Sequence, residues 1–151
     1  MKLTQHTDYS LRVLMYLASN DSCPTIGTIA EYFGISKNHL VKVTHRLTKL
    51  GYIQSIRGRS GGLRLSMDPK KVVLGEVVRE MESSFQLVEC FDKDSNGCRV
   101  TENCKLKHVL GGALHAFNAH LDSFTLADFA LPASNNAEKI IARSNESGHL
   151  A

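Results

Sequence analysis

The stretch IGTIAEYFGISKNHLVKVTHRLTKLG sets a single glycine, Gly34, between two runs of helical periodicity, and this restricts the fold more than any other feature of the chain. The first run predicts a short helix over Ile26–Phe33, which Gly34 ends. Ser36 then caps a second helix that stops at Gly51. Leu40, Val43, Leu47 and Leu50 recur at three- and four-residue intervals and form its apolar face. Lys37, Asn38, His39, Lys42 and Arg46 are left on the outside or at the amino-terminal end. Helix, tight glycine turn, helix is the helix-turn-helix order.

The residues after Gly51 sharpen this reading. YIQSIRGRSGGLRLS predicts two short strands around the turn RGRSGG, with Leu63 and Leu65 alternating against Arg64 and Ser66. A hairpin in this position is a wing, and arginines at its tip, freed by glycines to approach closely, suit the negative potential of a narrow minor groove. Charge agrees. The segment from Ser36 to Lys71 holds nine basic residues and one acid, Asp68, so it carries +8 in a chain of net charge +3. Such asymmetry points to a polyanionic partner, although on charge alone a solvated basic face is the commoner reading. Ser36, Lys37, Asn38 and His39 are expected at base edges or phosphates with Lys42 behind them, and Arg57 and Arg59 in the minor groove.

The remaining elements are helical. A first helix is predicted over Thr7–Ser19, with Thr7 as its cap, Asp8 in the favourable first turn, and Leu11, Leu14, Met15 and Ala18 on one face. VVLGEVVREMESS predicts a helix returning onto the domain. A long helix from about Cys104 to Ser123 carries Leu106, Leu110, Ala113, Phe117, Leu121 and Phe124 at three- and four-residue intervals. One winged domain has limited room to cover such a stripe; a second copy would bury it, and folding back onto its own domain is the alternative. Gly111 and Gly112 within it cost about 1 kcal/mol each against alanine, which close helix–helix approach would explain. The expected architecture is mainly α with a small β-hairpin: a winged helix-turn-helix domain over 1–83, a loop over 84–105, a dimerisation helix region over 104–131 and a polar tail over 132–151.

At 151 residues, 42% hydrophobic and 22% charged, the chain has the composition of a soluble globular protein with one core and an appended helix. The apolar run LRVLMYLA is interrupted by Arg12, is too short to span a bilayer and precedes no small-residue cleavage site, so a cytoplasmic, non-membrane protein is expected. No nucleophile–base pair, phosphate loop or paired carboxylates point to an enzyme.

In a reducing compartment, clustered cysteines are more often metal ligands or redox thiols than disulfides. ECFDKDSNGCRVTENCK places Cys90, Cys98 and Cys104 within fifteen residues, with no C-x-x-C pair of the kind structural zinc sites use. Widely separated thiolates suit an iron–sulfur cluster, which normally takes four protein ligands, so a fourth comes from elsewhere or is absent. His108 is one candidate. Asp8, taken alone, is a helix-start acid, and Cys23 in NDSCP is an ordinary turn residue.

The chain resembles the Rrf-type winged-helix regulators, and within them the nitric-oxide-sensitive branch. The resemblance runs from KLTQHTDYSLRVLMYLA through NHLVKVTHRLTKLGYI, RGRSGGLRL, LGEVVREME, the three cysteines and CKLKHVL to LDSFTLADF. It implies a homodimeric repressor of pseudo-palindromic operator DNA, with a cluster on Cys90, Cys98 and Cys104, [4Fe–4S] in preference to [2Fe–2S]. It further implies a fourth ligand from the first helix of the other subunit, where this chain has Asp8. A sister branch uses a histidine three residues after the third cysteine; Lys107 stands there, and His108 is one step off. The first gap between cysteines is longer than usual in the family, and FDKDSNG has the composition of a tolerated loop extension. Nitric oxide is the implied signal, nitrosylation of the cluster releasing the operator. The alternatives are a redox- or iron-responsive regulator of the same fold and, in a different class, an electron-transfer protein.

Overall fold

The order of elements is α1 (Gln5–Ala18), α2 (Ile26–Phe33), α3 (Lys37–Lys49), β1 (Ile53–Ile56), β2 (Gly62–Leu65), α4 (Leu74–Met81) and α5 (Lys105–Asp122). They come from a computed structural model that describes residues 2–58, 61–92 and 94–131. The polar tail over 132–151 and Arg59 at the wing tip lie outside the described residues.

The helix ends follow local chemistry, with one correction. Thr4, not Thr7, caps α1: its Oγ1 accepts the Thr7 N–H at 3.3 Å, while Thr7 is 0% exposed. A distant residue helps hold Thr4 in place, since the Glu82 carboxylate accepts the Thr4 N–H at 2.7 Å. Thr25 caps α2 through the Thr28 N–H, and Gly34 closes it at φ +62, with the Ile35 N–H reaching back to the Ala30 carbonyl. Leu40, Val43, Thr44 and Leu47 form the buried face of α3.

β1 and β2 pair antiparallel from Ile53 opposite Leu65 to Ile56 opposite Gly62. Ile53 and Leu63 point into the core, and the Leu63 N–H donates to the Pro24 carbonyl at 2.8 Å. Only glycine fits at position 62, because a Cβ there would lie 2.1 Å from the Cys23 carbonyl oxygen. The core beneath joins Val13, Leu14 and Leu17 of α1, Ile29 of α2, the α3 face, Ile53, Leu63 and Val77 of α4. Burial of each such side chain contributes roughly 1.5–3 kcal/mol, which makes this cluster the main source of stability.

α4 packs against α5, with Arg79 and Asp122 paired at 2.8 Å where Gly75 lets the two helices approach. The chain then returns: the Leu74 N–H donates to the Phe124 carbonyl, the Leu126 N–H donates to the Val72 carbonyl, and Leu126 enters the core at 1% exposed. The long helix expected from the periodicity is present, but none of its residues is buried. Its apolar stripe straddles two sides. Leu110, Phe117 and Leu121, with Leu114, are half-buried, whereas Leu106 and Ala113 share an exposed face with Val109 and Ala116. Leu106 and Val109 are 63% and 67% exposed. Phe124 is half-buried in the turn after the helix. Among the described residues, nothing beyond the helix's own adjacent backbone and the flanking residues lies within 4 Å of where a Cβ would stand at Gly111 or Gly112. Among the same residues no helix is long and apolar enough to cross a membrane.

Candidate functional site

α3 presents its amino-terminal end outward. Ser36 stands at the cap with its hydroxyl making no capping bond, and Ser36, Lys37, Asn38, His39 and Lys42 are all exposed above buried Leu40 and Val43. The start of α1 lies beside them: Gln5, His6, Tyr9, His39, Lys42 and Val43 line a shallow pocket of about 180 Å³. Sequence reasoning did not bring Gln5, His6 and Tyr9 to this face, because nothing in their local pattern states the crossing of α1 over α3.

On the wing, Arg57 and Arg64 are exposed. Gly58 takes φ +115, and its carbonyl accepts the Gly61 N–H at 3.0 Å to close the tip. The wing is fixed to α3 through the Tyr52 N–H, which donates to the Leu47 carbonyl at 3.0 Å. The ion pairs among the described residues are Asp8–Arg12 and Arg79–Asp122, so no described basic residue of the 36–71 segment is paired with an acid. Exposed helix start, basic wing and unpaired positive charge together suit a phosphate backbone with a groove on either side of it.

The second region is the loop between α4 and α5. Cys90 sits in a short 3-10 turn, Glu89–Phe91, and Cys104 caps α5. Between them the longer gap folds on itself. Asp92 accepts the Asp94 N–H at 3.0 Å and the Ser95 hydroxyl at 2.6 Å, and the hydroxyl bond foremost holds its carboxyl below the ordinary carboxylate range. The Asn96 Oδ1 then accepts the Cys98 N–H at 3.0 Å. Cys90 opens onto a cavity of about 420 Å³ lined also by Phe85, Gln86, Phe91, Lys107 and Leu114.

All four cysteines are free and half-buried. Among the described residues, no three His, Cys, Asp or Glu side chains are gathered as a metal-binding group, so this single chain does not bring Cys90, Cys98 and Cys104 to one point. The donor set nevertheless fits an iron–sulfur cluster in kind: three free soft thiols share one loop, and Cys104 stands at the amino-terminal end of an 18-residue helix, where partial positive charge favours an anionic ligand. His108 is exposed, its N–H donating to the Cys104 carbonyl at 3.4 Å. Asp8 lies on α1 with its carboxylate bound at both oxygens by Arg12.

The arrangement defines a winged helix-turn-helix protein with a thiol-bearing loop and an exposed helix face beside it. Residues 3–131 match the Rrf2 family, iron-dependent transcriptional regulators, and the chain belongs to that family. The HTH-type transcriptional regulator NsrR of Bacillus subtilis (strain 168) is 55% identical over 130 residues, covering 85% of this chain and 89% of the relative. The protein of the same name from Bacillus licheniformis is 50% identical over 133 residues, covering 87% and 93%. Among solved structures, T. potens IscR shares the fold at a TM-score of 0.68 and 23% identity, covering 100% of this chain and 93% of its own.

Proposed function

We propose that the chain is a homodimeric repressor that holds pseudo-palindromic operator DNA through α3 and the wing. In this reading an iron–sulfur cluster on Cys90, Cys98 and Cys104, completed by Asp8 of the partner subunit, makes binding responsive to nitric oxide. The [4Fe–4S] form is preferred to [2Fe–2S], and the site of action is the cytoplasm. The observation that carries the reading is the placement of three free thiols on the loop that leaves α4, beside a helix whose Leu106–Val109 face no described residue covers.

When bound, the cluster supplies iron with which nitric oxide reacts. The chain's own residues do the rest. Ser36, Lys37, Asn38, His39 and Lys42 meet bases and phosphates, and Arg57 and Arg59 enter the minor groove. Leu106, Val109, Ala113 and Ala116 meet the second copy, whose symmetry sets the spacing of two half-sites. Asp8 exchanges Arg12 for a place in the partner's site, and Lys105 and Lys107 supply positive charge near the third cysteine.

The test is an anaerobic absorption spectrum with iron and sulfide analysis, followed by operator titration before and after nitric oxide. Roughly four irons and four sulfides per chain, with operator affinity lost as nitric oxide is added, support the reading. Affinity that follows cluster oxidation and ignores nitric oxide would transfer the protein to the redox-responsive class. An iron-free protein with unchanged operator binding would leave only the winged-helix regulator.

A further inference from the structure

The last turn of α4 is the point from which the chain enters the cysteine loop, and it is bound to each of the elements that read DNA. A helix leaves its last carbonyls without intrahelical partners, and partial negative charge collects there. Here the Glu80 carbonyl is met by Arg46 of α3, whose Nη2 donates to it at 3.1 Å. The Glu80 side chain makes the second attachment: its carboxylate accepts the Tyr52 hydroxyl at 2.5 Å.

Tyr52 is 6% exposed and carries three bonds at the root of the wing. Its N–H donates to the Leu47 carbonyl at 3.0 Å, its carbonyl accepts the Ser66 N–H at 2.9 Å, and its phenol reaches Glu80. One residue therefore joins the end of α3, the base of both strands and α4. Burial, then the bond to Glu80, pushes the Tyr52 phenol well above its ordinary range, so it remains a donor at neutral pH. Two residues beyond Glu80, the Glu82 carboxylate accepts the Thr4 N–H at 2.7 Å and the Thr4 hydroxyl at 3.2 Å, fastening the start of the helix that bears Asp8.

We infer that Glu80 is a positioning residue that fixes the recognition helix and the wing to the end of α4, and that loosening of its two attachments carries a change in the cysteine loop to the DNA-reading face. The first half stands on the geometry; the second rests on the function proposed above. A loop state changes operator affinity only by as much as it favours one arrangement of the readers over another, and Glu80 is where loop and readers share bonds.

The variants Tyr52→Phe, Glu80→Ala and Glu80→Gln test this in the full-length dimer. Tyr52→Phe keeps the buried ring, and Glu80 is exposed enough for substitution without loss of the fold. Two measurements are needed. Amide hydrogen exchange of 53–56 and 62–65 in the cluster-free protein is expected to quicken about fivefold or more in Tyr52→Phe and Glu80→Ala, and to return towards wild type in Glu80→Gln, which keeps an acceptor. Operator affinity, read at one salt concentration in loaded and cluster-free forms, is expected to differ between the forms by about 5- to 150-fold in wild type, with that ratio collapsing in the first two variants at unchanged iron content.

Unchanged hairpin exchange overturns the positioning role. Equal loss of affinity in both forms, with the ratio preserved, overturns the transmitting role and leaves Glu80 a structural support. If wild type shows no difference between the two forms, the proposed cluster control fails and the transmitting role with it, while the exchange result still decides whether Glu80 positions the wing.

Discussion

Asp8 and Arg12 stand one turn apart on α1 and close a two-point pair, with Arg12 Nε 3.1 Å from one carboxylate oxygen and Nη2 2.8 Å from the other. The guanidinium also lies 6.0 Å from the centre of the Tyr9 ring. Both partners are more than two-fifths exposed, so solvent screens the pair and it stabilises the fold by less than about 1 kcal/mol. Its interest is that the carboxylate proposed as a cluster ligand already has an occupant that can be exchanged.

Asp8→Ala is therefore expected to leave the denaturation midpoint nearly unchanged while the cluster is lost several-fold faster on exposure to air. Arg12→Gln is expected to be as mild on stability without speeding cluster loss. Full cluster retention in Asp8→Ala, followed by visible absorbance, would remove Asp8 from the ligand set.

Gly62 meets the carbonyl of Cys23 too closely to accept any side chain. Gly62→Ala is expected to destabilise the protein by about 1–3 kcal/mol, as overpacking against backbone does, and to weaken operator binding by displacing the wing. Urea denaturation checks the first effect. A midpoint equal to wild type would mean the hairpin root gives way at no cost.

The exposed face of α5 predicts the oligomeric state. Val109→Glu places a charge among Leu106, Ala113 and Ala116, and is expected to yield monomers in sedimentation equilibrium while the denaturation midpoint of the monomer unit changes little. A dimer that survives this change at micromolar concentration would put the interface elsewhere.

Arg57→Ala is expected to lower operator affinity and to reduce the slope of log affinity against log salt by about one, with iron content unchanged. The same slope in variant and wild type would show that Arg57 does not neutralise a phosphate.

Alkaline pH has a predicted sign. The folded-state phenol of Tyr52 lies above its ordinary value of 10.0, so its contribution is complete below pH 10 and declines as pH rises above it, because the unfolded chain ionises first. Tyr16, raised mainly by burial, acts in the same direction. The denaturation midpoint is expected to fall from pH 10 upward and to fall less steeply in Tyr52→Phe. Parallel profiles for the two proteins would contradict the assignment.

The parts of this molecule that the sequence states clearly are those whose signals are local. Gly34 at φ +62, the α3 face of Leu40, Val43 and Leu47, and the paired strands around the wing glycines all depend on residues within a few positions of one another. The start of α1 is not legible in this way, because two threonines compete for the cap and the carboxylate that holds Thr4, from Glu82, lies 78 residues away. The α5 stripe is ambiguous for a similar reason. Periodicity identifies a helix with apolar residues on more than half of its circumference, but which side meets α4 depends on Gly75 admitting Asp122. Cysteine spacing identifies a donor set, and cannot state that Asp8 begins in the hold of Arg12. The bonds of Glu80 leave no trace in periodicity or composition, since Tyr52 and Glu80 are each ordinary residues where they stand.

The return of the chain after α5, with Leu126 seated in the core and Asp122 held by Arg79, has a mechanical consequence. It clamps one end of α5 to the DNA-reading domain, while at the other end Leu106 is 63% exposed and Cys104 continues into the cysteine loop. An 18-residue helix at 1.5 Å per residue is an arm of about 27 Å anchored near Asp122. A displacement of about 2 Å at Cys104 would tilt such an arm by roughly 4°, and in the proposed dimer two such arms would tilt as a pair of callipers. The gap between the two tips would then be adjusted from the far end of each arm, without either reading head changing shape.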